Sequence, residues 1–505
     1  LILLPEINLT PQLERRIEGF FPNEAVVTLH SSISDKKRAL AWQEAQSGVA
    51  RIIIGTRLAV LTPLPNLSAI VVDEENDSSY KQQDGVRYSA RDLAIWRAKQ
   101  KNIPILLASA TPSLETWIAA KEGRYKTLKI NQRARGEPLP RVGLINETSH
   151  SADQISEPIR NKLKLNLDKK QQSLILINRR GFAPVMTCLA CGWLSHCSQC
   201  SAYTVLHRAH TIFKKPVLSC HHCGLTKPVV SVCPECGNTD LQALGRGTQK
   251  IEDILAAAYP HATVLRIDTD AARSAKKTEQ LIQEIHDGSA DIVVGTQMIA
   301  KGHDYQNMNL VCVLDADTRL YSVDFRAAEH LFAQLIQVAG RAGRGLSSQD
   351  NPEIQSEILI ETNHPDAAVY QFLLRYDVDG FMKHLAEERS TAKLPPFSYQ
   401  AVVHADSKSL SKTLQFLNAL RMRFVAQMNS VTTTKGQLRV YDPVPKIMQR
   451  LAGNERAQLL IESENRAHLQ SSLEILDQIL REQSQGRISK KEKVRWLIER
   501  DPLLI

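Results

Sequence analysis

Four Cys-x-x-Cys pairs lie between residues 188 and 236, and they restrict the fold of this chain more than any other feature of its sequence. They contain eight of its nine cysteines, and glycine follows the second cysteine in three of the four pairs. The pairs are Cys188/Cys191, Cys197/Cys200, Cys220/Cys223 and Cys233/Cys236. Two thiolates on one tight turn suit a tetrahedral zinc ion. The spacing therefore predicts two structural zinc sites of four cysteines each rather than disulfides, which a chain of this size does not need as staples.

Loop lengths favour a nested pairing of these cysteines. The 19 residues between Cys200 and Cys220 match the zinc-ribbon spacing of about 15 to 20 residues. The nested arrangement assigns zinc 1 to Cys188, Cys191, Cys233 and Cys236, and zinc 2 to Cys197, Cys200, Cys220 and Cys223. A sequential pairing, with Cys188 to Cys200 on one zinc, leaves five residues between its two pairs and stays open.

Composition sets broad limits on the class of protein. A length of 505 residues predicts three or four domains, and 43% hydrophobic with 23% charged residues is typical of a globular protein. No apolar run reaches the length of about 18 residues that a membrane helix needs, so no membrane partner is expected. A net charge of +9 is compatible with nucleic-acid binding but does not establish it. The chain begins inside the apolar run Leu1–Leu4 without methionine, and we expect it to be a piece of a longer protein.

Residues 1 to about 130 alternate apolar runs with helical stretches, of which Thr10–Phe20 is the first. The predicted strands are Leu1–Leu4, Ala25–Leu29, Arg51–Gly55, Ala69–Asp73 and Ile105–Ser109. This alternation predicts a parallel sheet that is covered by helices. In such sheets the ligand site lies beyond the carboxyl ends of the strands.

Polar turns follow three of these strands. Asp73–Asn76 begins with two carboxylates, and this arrangement predicts that Asp73 holds Mg²⁺ and that Glu74 positions or activates a water molecule. The other turns are Gly55–Arg57 and Ser109–Pro112. A solvated acidic loop is the alternative for Asp73–Asn76, but three polar turns at successive strand ends favour a ligand site.

The loop between Asp73 and Ser109 interleaves aromatic and basic residues. They are Tyr80, Lys81, Arg87, Tyr88 and Arg91. Such residues can stack on unpaired bases and hold phosphates, although a solvated loop is an equal alternative. Trp96 is expected to face the core.

A second α/β unit follows a linker and surrounds the cysteine segment, as loop insertions permit. It contains two polar stretches, Gly295–Asp304 at a strand end and Gln337–Arg344 at a helix end. The first suits phosphates. In the second, Arg341 and Arg344 are candidates for arginine fingers that stabilise charge on a transferred phosphoryl group. A nucleic-acid or surface patch is the alternative.

The last segment, residues 366–505, has the predicted order β-α-β-β-α-β, a ferredoxin-like plan. Lys446, Arg450 and Arg456 are candidate phosphate contacts there, and a solvated basic face is the alternative.

Together these motifs resemble superfamily-2 DNA helicases, and specifically the primosomal protein N′ family of bacterial replication-restart helicases. Asp73–Asn76 resembles motif II, Ser109–Pro112 motif III, Gly295–Asp304 motif V and Gln337–Arg344 motif VI. The eight-cysteine insertion inside the second lobe is the distinguishing mark of that family, in which the nested zinc pairing is expected.

The resemblance implies an α/β fold with two RecA-like helicase lobes, the first incomplete, an inserted two-zinc module and an α+β ferredoxin-like C-terminal domain. The expected domains are lobe 1 without its Walker A part (1–130), a linker and the start of lobe 2 (131–172), lobe 2 (173–187 and 244–365), the zinc-binding insertion (188–243) and a C-terminal DNA-binding domain (366–505).

The resemblance also assigns residues to roles. The catalytic residues are Asp73, Glu74, Gln337, Arg341 and Arg344. Nucleotide contacts are Ser109, Thr111, Gly302 and Asp304. Independently of the resemblance, the candidate nucleic-acid contacts are Arg57, Tyr80, Lys81, Arg87, Tyr88 and Arg91.

The implied activity is that of an ATP-dependent 3′→5′ DNA helicase with two Zn²⁺ ions per chain and ATP with Mg²⁺ as substrate. The implied partners are forked and single-stranded DNA, single-stranded DNA-binding protein and other primosome proteins, and the implied location is the bacterial cytoplasm, at the nucleoid.

This sequence departs from the family at one decisive place. No Gly-x-x-x-x-Gly-Lys-[Ser/Thr] phosphate loop occurs in it, and the family places that loop just upstream of Leu1. Asn76 stands where the family has histidine. We therefore expect the chain alone to bind ATP weakly and to hydrolyse it negligibly. A DNA-binding scaffold without ATPase activity and a double-strand DNA translocase are the alternative functions.

Overall fold

The computed structural model of the chain describes residues 1–7, 10–130, 138–146, 155–178, 185–188, 190–191, 193–198, 204–207, 216–219, 225–244, 248–268, 275–296, 307–320, 324–343, 356–431, 438–484 and 494–503. Its contacts divide it into two compact units. The first comprises residues 1–149, 156–178 and 255–386, and the second comprises residues 150–155, 179–254 and 387–505.

The first unit begins with a parallel five-stranded sheet, here called the first sheet, in the order β2-β3-β1-β4-β5. Its strands are β1 (Ile2–Leu3), β2 (Ala25–Leu29), β3 (Ala50–Gly55), β4 (Ile70–Val72) and β5 (Ile105–Leu107). Its helices are Thr10–Phe20, Asp35–Ser47, Ala90–Lys101 and Leu114–Lys121, with 3-10 turns at Arg57–Leu61 and Ser78–Tyr80. Every strand predicted for this part of the chain is present, with ends that differ by at most two residues.

The two faces of the first sheet differ. Leu3, Ile53 and Val72 lie fully buried in the core cluster on one face. On the opposite face, near the β5 edge, Val71 is half-buried and its strand partner Leu106 is 48% exposed. Parallel sheets normally have both faces covered. Among the described residues, this apolar part of the sheet is therefore incompletely covered.

Helix Ala90–Lys101 corrects one expectation. Its buried residues are Ala90, Ala94 and Ala98, which recur at one helical turn and pack on the sheet. Trp96 lies on the opposite side of the helix and is 57% exposed, so the prediction that it faces the core is wrong.

A second parallel sheet in the same unit has six strands in the order β13-β14-β7-β15-β16-β6. They are β6 (Arg141–Asn146), β7 (Gln172–Ile177), β13 (Val264–Ile267), β14 (Ile292–Gly295), β15 (Met308–Leu314) and β16 (Glu357–Thr362). The helices are Glu157–Asp168, Thr248–Ala258, Ala275–His286, Ala327–Ala339, Ala368–Leu373 and Val378–Thr391, with a 3-10 turn at Ala316–Arg319. Strand β6 lies within the predicted linker, where it extends the sheet by pairing with β16.

The cysteine segment forms a small antiparallel sheet in the order β11-β10-β9-β8-β12. Its strands are β8 (Val185–Cys188), β9 (Val205–His207), β10 (Val217–Ser219), β11 (Thr226–Pro228) and β12 (Leu241–Leu244). It is inserted between β7 and β13, as the sequence predicts for an insertion in the second α/β unit.

The carboxyl-terminal segment forms an antiparallel sheet in the order β18-β20-β17-β21, with β19 also paired to β20. Its strands are β17 (Tyr399–Ser407), β18 (Leu438–Val440), β19 (Val444–Leu451), β20 (Asn454–Ser463) and β21 (Arg495–Arg500), and its helices are Leu410–Val431 and Arg466–Ser484. Both helices contribute to the one core cluster of this sheet, for example through Phe424 and Leu476. The ferredoxin-like plan is confirmed, with β19 as an additional strand. None of the described helices is both long and apolar enough to span a bilayer.

Candidate nucleotide site and cysteine cluster

The predicted acidic pair lies in a tight turn at the carboxyl end of β4. The backbone N–H of Asp73 donates to the Leu3 carbonyl at 3.0 Å, which keeps the turn in line with β1. Glu74 has a φ of 45°, in the left-handed region that few non-glycine residues adopt, and its N–H donates to Oδ1 of Asp73 at 3.1 Å. Such local strain is concentrated at functional sites.

Two side chains of the second α/β unit approach this pair. One lies on helix Ala327–Ala339, and the other lies in the turn after that helix. Burial raises the pKa of both Asp73 and Glu74. Gln337 lies close enough to Glu74 to lower its pKa, and the positive charge of Arg341 acts on both carboxylates. Neither effect cancels that of burial. The structure thus brings together Asp73, Glu74, Gln337 and Arg341. Arg344 lies outside the described residues.

A hydrogen-bonded cluster joins the neighbouring strand end to the acidic turn. The Ser109 hydroxyl donates to Oδ1 of Asn76 at 2.9 Å and accepts from the Thr111 N–H at 3.0 Å. The Asn76 amide reaches the Thr111 hydroxyl at 3.5 Å. Ser109 and Thr111 therefore lie beside the acidic turn, and their role as nucleotide contacts stays a prediction. The other predicted nucleotide contacts, Gly302 and Asp304, lie outside the described residues.

Glu75 is a buried residue of the acidic turn to which the sequence assigned no role. It is 2% exposed. Its carboxylate accepts from the Ser113 N–H at 2.6 Å, the Ser113 hydroxyl at 3.1 Å, the Thr116 hydroxyl at 3.0 Å and Nη1 of Arg91 at 3.2 Å. Glu75 thereby ties the turn after β4 to the start of helix Leu114–Lys121.

We expect the Glu75→Ala substitution to lower the free energy of unfolding by about 3–5 kcal/mol, because it leaves the Arg91 charge and the Ser113 N–H buried without this acceptor. Urea unfolding followed by circular dichroism would measure the change. Glu24→Ala is the matched control, since the Glu24–Arg51 ion pair is largely exposed and its loss costs at most about 1 kcal/mol. Equal effects of the two substitutions would contradict the role of Glu75.

The structure corrects part of the predicted nucleic-acid surface. Tyr80 is 2% exposed, and its hydroxyl lies 3.0 Å from the Leu3 carbonyl and 2.6 Å from the Asp73 carbonyl, to which it can donate. Its ring is therefore part of the core and cannot stack on a base in this arrangement. Lys81 is also buried, and Arg91 is engaged with Glu75.

The remaining members of that predicted surface are half-buried. Nη1 of Arg57 donates to the Ser79 and Lys81 carbonyls at 3.3 and 3.4 Å, and the Tyr88 hydroxyl donates to the Arg57 carbonyl at 3.4 Å. Arg57, Arg87 and Tyr88 stay predicted contacts, because each retains accessible surface.

Four cysteines of the inserted sheet form a compact cluster that fits a zinc ion. The sulfurs of Cys188, Cys191, Cys233 and Cys236 all lie within 4.8 Å of one another. The Cys188–Cys236 and Cys191–Cys233 distances are both 3.6 Å. A tetrahedral zinc with Zn–S bonds of about 2.3 Å places its sulfurs about 3.8 Å apart, whereas a disulfide has an S–S bond of about 2.05 Å.

The backbone of this cluster also suits a metal. Gly237 is left-handed, with a φ of 74°, and its N–H donates to the Cys233 carbonyl at 3.0 Å. The four cysteines of the cluster are the ones that the nested pairing assigns to zinc 1.

The predicted zinc 2 is largely outside the described residues. Cys197 is described and buried, whereas Cys200, Cys220 and Cys223 are not described. The second zinc therefore stays a prediction.

Comparison with known proteins identifies the family. The primosomal protein N C-terminal domain matches residues 390–503, and the helicase conserved C-terminal domain matches residues 242–345. The solved structure of RecG bound to a three-way DNA junction shares 14% identity with a TM-score of 0.41, over 78% of this chain and 40% of that one, a likeness too slight to bear on function.

Replication restart proteins PriA align with nearly the whole chain. Identity is 38% over 503 residues for Haemophilus influenzae, covering 99% of this chain and 65% of that protein. It is 33% over 493 residues for Bacillus subtilis, covering 97% and 59%. It is 35% over 477 residues for Rickettsia conorii, covering 94% and 70%. The chain thus spans less than two thirds of the length of the first two relatives. It is 35% identical to the Rickettsia conorii protein and covers 70% of it, and by this identity and coverage the chain belongs to the family of the replication restart protein PriA.

Proposed function

We propose that this chain is the larger part of an ATP-driven 3′→5′ DNA helicase that restarts replication at stalled or abandoned forks. The observation that carries the proposal is that Gln337 and Arg341, on and just after helix Ala327–Ala339 of the second α/β unit, lie close to the acidic pair Asp73–Glu74. Opposed carboxylates and arginines are the groups that phosphoryl transfer requires. Family membership supports the proposal independently.

In the proposed mechanism each residue has a distinct task. Asp73 would hold the magnesium ion, which neutralises phosphate charge when bound. Glu74 would orient the attacking water, and the neighbouring Gln337 side chain would fix the direction of the Glu74 carboxylate. Arg341, with Arg344, would stabilise the charge that develops on the transferred group, an effect worth about 10³–10⁵ in rate.

We further propose that the chain holds two zinc ions in residues 188–243, both structural. Four thiolates close a zinc shell, so the cluster offers no open position for a substrate. The zinc insertion and the C-terminal segment 366–505 would serve contacts with forked and single-stranded DNA, single-stranded DNA-binding protein and primosome proteins in the bacterial cytoplasm.

ATP turnover is proposed to depend on a segment that this chain does not carry. The 505 residues contain no phosphate loop, so no Gly-rich backbone cradle or phosphate-binding lysine is available. The incompletely covered face of the first sheet at Leu106 is a place where further chain could pack.

We expect the purified 505-residue chain to release no phosphate from ATP above background, with or without forked DNA. Joining it to the upstream segment of its Haemophilus influenzae relative, to give the extended chain, should produce DNA-stimulated hydrolysis. A coupled phosphate-release assay measures both. DNA-stimulated turnover by the 505-residue chain alone would contradict the expectation.

The same assay separates the alternatives. An extended chain that binds forked DNA without hydrolysis would be a DNA-binding scaffold, which the missing phosphate loop already favours for the 505 residues alone. Hydrolysis stimulated by blunt duplex but not by forks would indicate a double-strand translocase.

A further inference from the structure

Helix Leu114–Lys121 follows the first sheet in the chain but packs in the core of the second. Leu114 is fully buried in the same cluster as Leu331 and Phe332 of helix Ala327–Ala339. Trp117 and Ile118 pack against that cluster. The helix is therefore a structural link between the two sheets of this unit.

Two buried carboxylates hold the start of this helix. Glu75 lies in the turn after β4 of the first sheet, and Glu329 lies on helix Ala327–Ala339, which packs in the core of the second sheet. The Ser113 N–H donates to Glu75 at 2.6 Å, and the Leu114 N–H donates to Oε1 of Glu329 at 3.0 Å. Glu75 is 2% and Glu329 is 7% exposed. The first N–H groups of a helix have no intrahelical partner, and the helix dipole favours negative charge there.

Glu329 lies on helix Ala327–Ala339, which also carries Gln337. It lies eight residues before Gln337, about 12 Å along the helix axis at about 1.5 Å per residue. Gln337, near the other end, lies beside Glu74. The contacts close a ring, which runs from the acidic turn through Glu75, the start of helix Leu114–Lys121 and Glu329 back to Gln337.

We propose that Glu329 is a positioning residue that sets how Gln337 and Arg341 approach Asp73 and Glu74. A rigid helix that is attached at one point can pivot, whereas attachment at both ends fixes its direction. Misplacement of about 1 Å can cost about 10²-fold in rate, so this attachment matters for the chemistry. The catalytic consequence rests on the proposed function, but the attachment itself does not.

A second contact at the same junction supplies the control. Nη2 of Arg326 lies 3.7 Å from Oε1 of Glu115, and the Glu115 side chain is 34% exposed. A long, partly solvated ion pair contributes little. Glu115→Ala thus removes a carboxylate from the same place without removing a backbone contact.

Hydrogen–deuterium exchange on the 505-residue chain tests the inference without any need for ATPase activity. Glu329→Ala should speed exchange at least tenfold in peptides that cover Ser113–Trp117 and, decisively, in those that cover Glu74–Asp77 and Val338–Arg341. Glu329→Gln keeps an oxygen acceptor for the Leu114 N–H and should stay within threefold of the unsubstituted chain, as should Glu115→Ala.

Faster exchange confined to Ser113–Trp117 would make Glu329 a local helix cap and overturn the proposal. Equal behaviour of the Gln and Ala variants would overturn it as well. If the Ala variant does not fold, the Glu329→Asp variant serves for the same test, because its side chain is one methylene group shorter and its carboxylate lies farther from the Leu114 N–H.

The extended chain gives the catalytic readout. There Glu329→Ala should lower kcat at least tenfold, with KM for ATP within twofold, and Glu329→Gln should restore kcat. An unchanged kcat would overturn the positioning role. Absence of hydrolysis by the extended chain itself would instead refute the proposed function, while the exchange results would still decide the inference.

Discussion

Glu74→Gln is expected to lower ATP turnover by the extended chain by about 10²–10⁴-fold, the range for a positioned general base. The substitution keeps the size of the side chain and one oxygen acceptor but removes the negative charge next to the attacking water. KM for ATP should change little, because Glu74 is not proposed to hold the nucleotide. Phosphate release at saturating ATP and DNA measures the effect, with the surface substitution Glu44→Gln as the control.

The same variant should be at least as stable as the unsubstituted chain. Burial raises the pKa of Glu74, so its contribution to stability is fully present below its ordinary pKa and is lost as the pH rises through the raised value. At neutral pH the buried charge therefore works against folding, and the neutral amide relieves it. A lower melting temperature together with lost activity would mean that Glu74 supports the fold rather than the chemistry, which contradicts the assignment.

Two double substitutions are expected to resolve the zinc pairing by metal content alone. The nested pairing places Cys191 and Cys233 on one zinc, and their sulfurs lie 3.6 Å apart. Cys191→Ser combined with Cys233→Ser should therefore lower the content from two zinc ions per chain to one. A structural zinc contributes about 10–16 kcal/mol of folding free energy in small zinc domains, so the affected site should lose its order.

In the matched control, Cys197 instead of Cys233 is substituted together with Cys191. Cys191→Ser combined with Cys197→Ser breaks both sites under the nested pairing and should leave no zinc. A sequential pairing predicts the reverse, with no zinc in the first double variant and one in the second. Elemental analysis after dialysis against a chelator reads the result, and fewer than two zincs in the unsubstituted chain would refute the two-zinc proposal.

Most elements were predictable because their signals are local. Strands β1 to β5 have continuous apolar runs that end in polar turns, and the observed strands differ from the predicted ones by at most two residues at their ends. Several strands escaped prediction, among them β6, β16 and β19 and the five strands of the cysteine segment, β8 to β12. Strand β6 lies within the predicted linker and extends the second sheet by pairing with β16. Strand β19 contains Pro445 and pairs irregularly with β20.

Side-chain roles were less predictable, since burial depends on distant parts of the chain. Tyr80 has the sequence context of a base-stacking loop residue, but its hydroxyl meets the carbonyl of Leu3, 77 residues away. Trp96 is apolar yet exposed, because the alanines of its helix provide the surface that packs on the sheet.

The four Cys-x-x-Cys pairs and the acidic pair at a strand end were determined by the sequence itself, because metal and phosphate chemistry require short, fixed spacings along the chain. Only the tertiary structure decided that Glu75 and Glu329 would hold the same helix. The Leu114 N–H and Glu329 are separated by 215 residues, and no local pattern encodes such a contact. It depends on how the helix after the first sheet is buried in the core of the second.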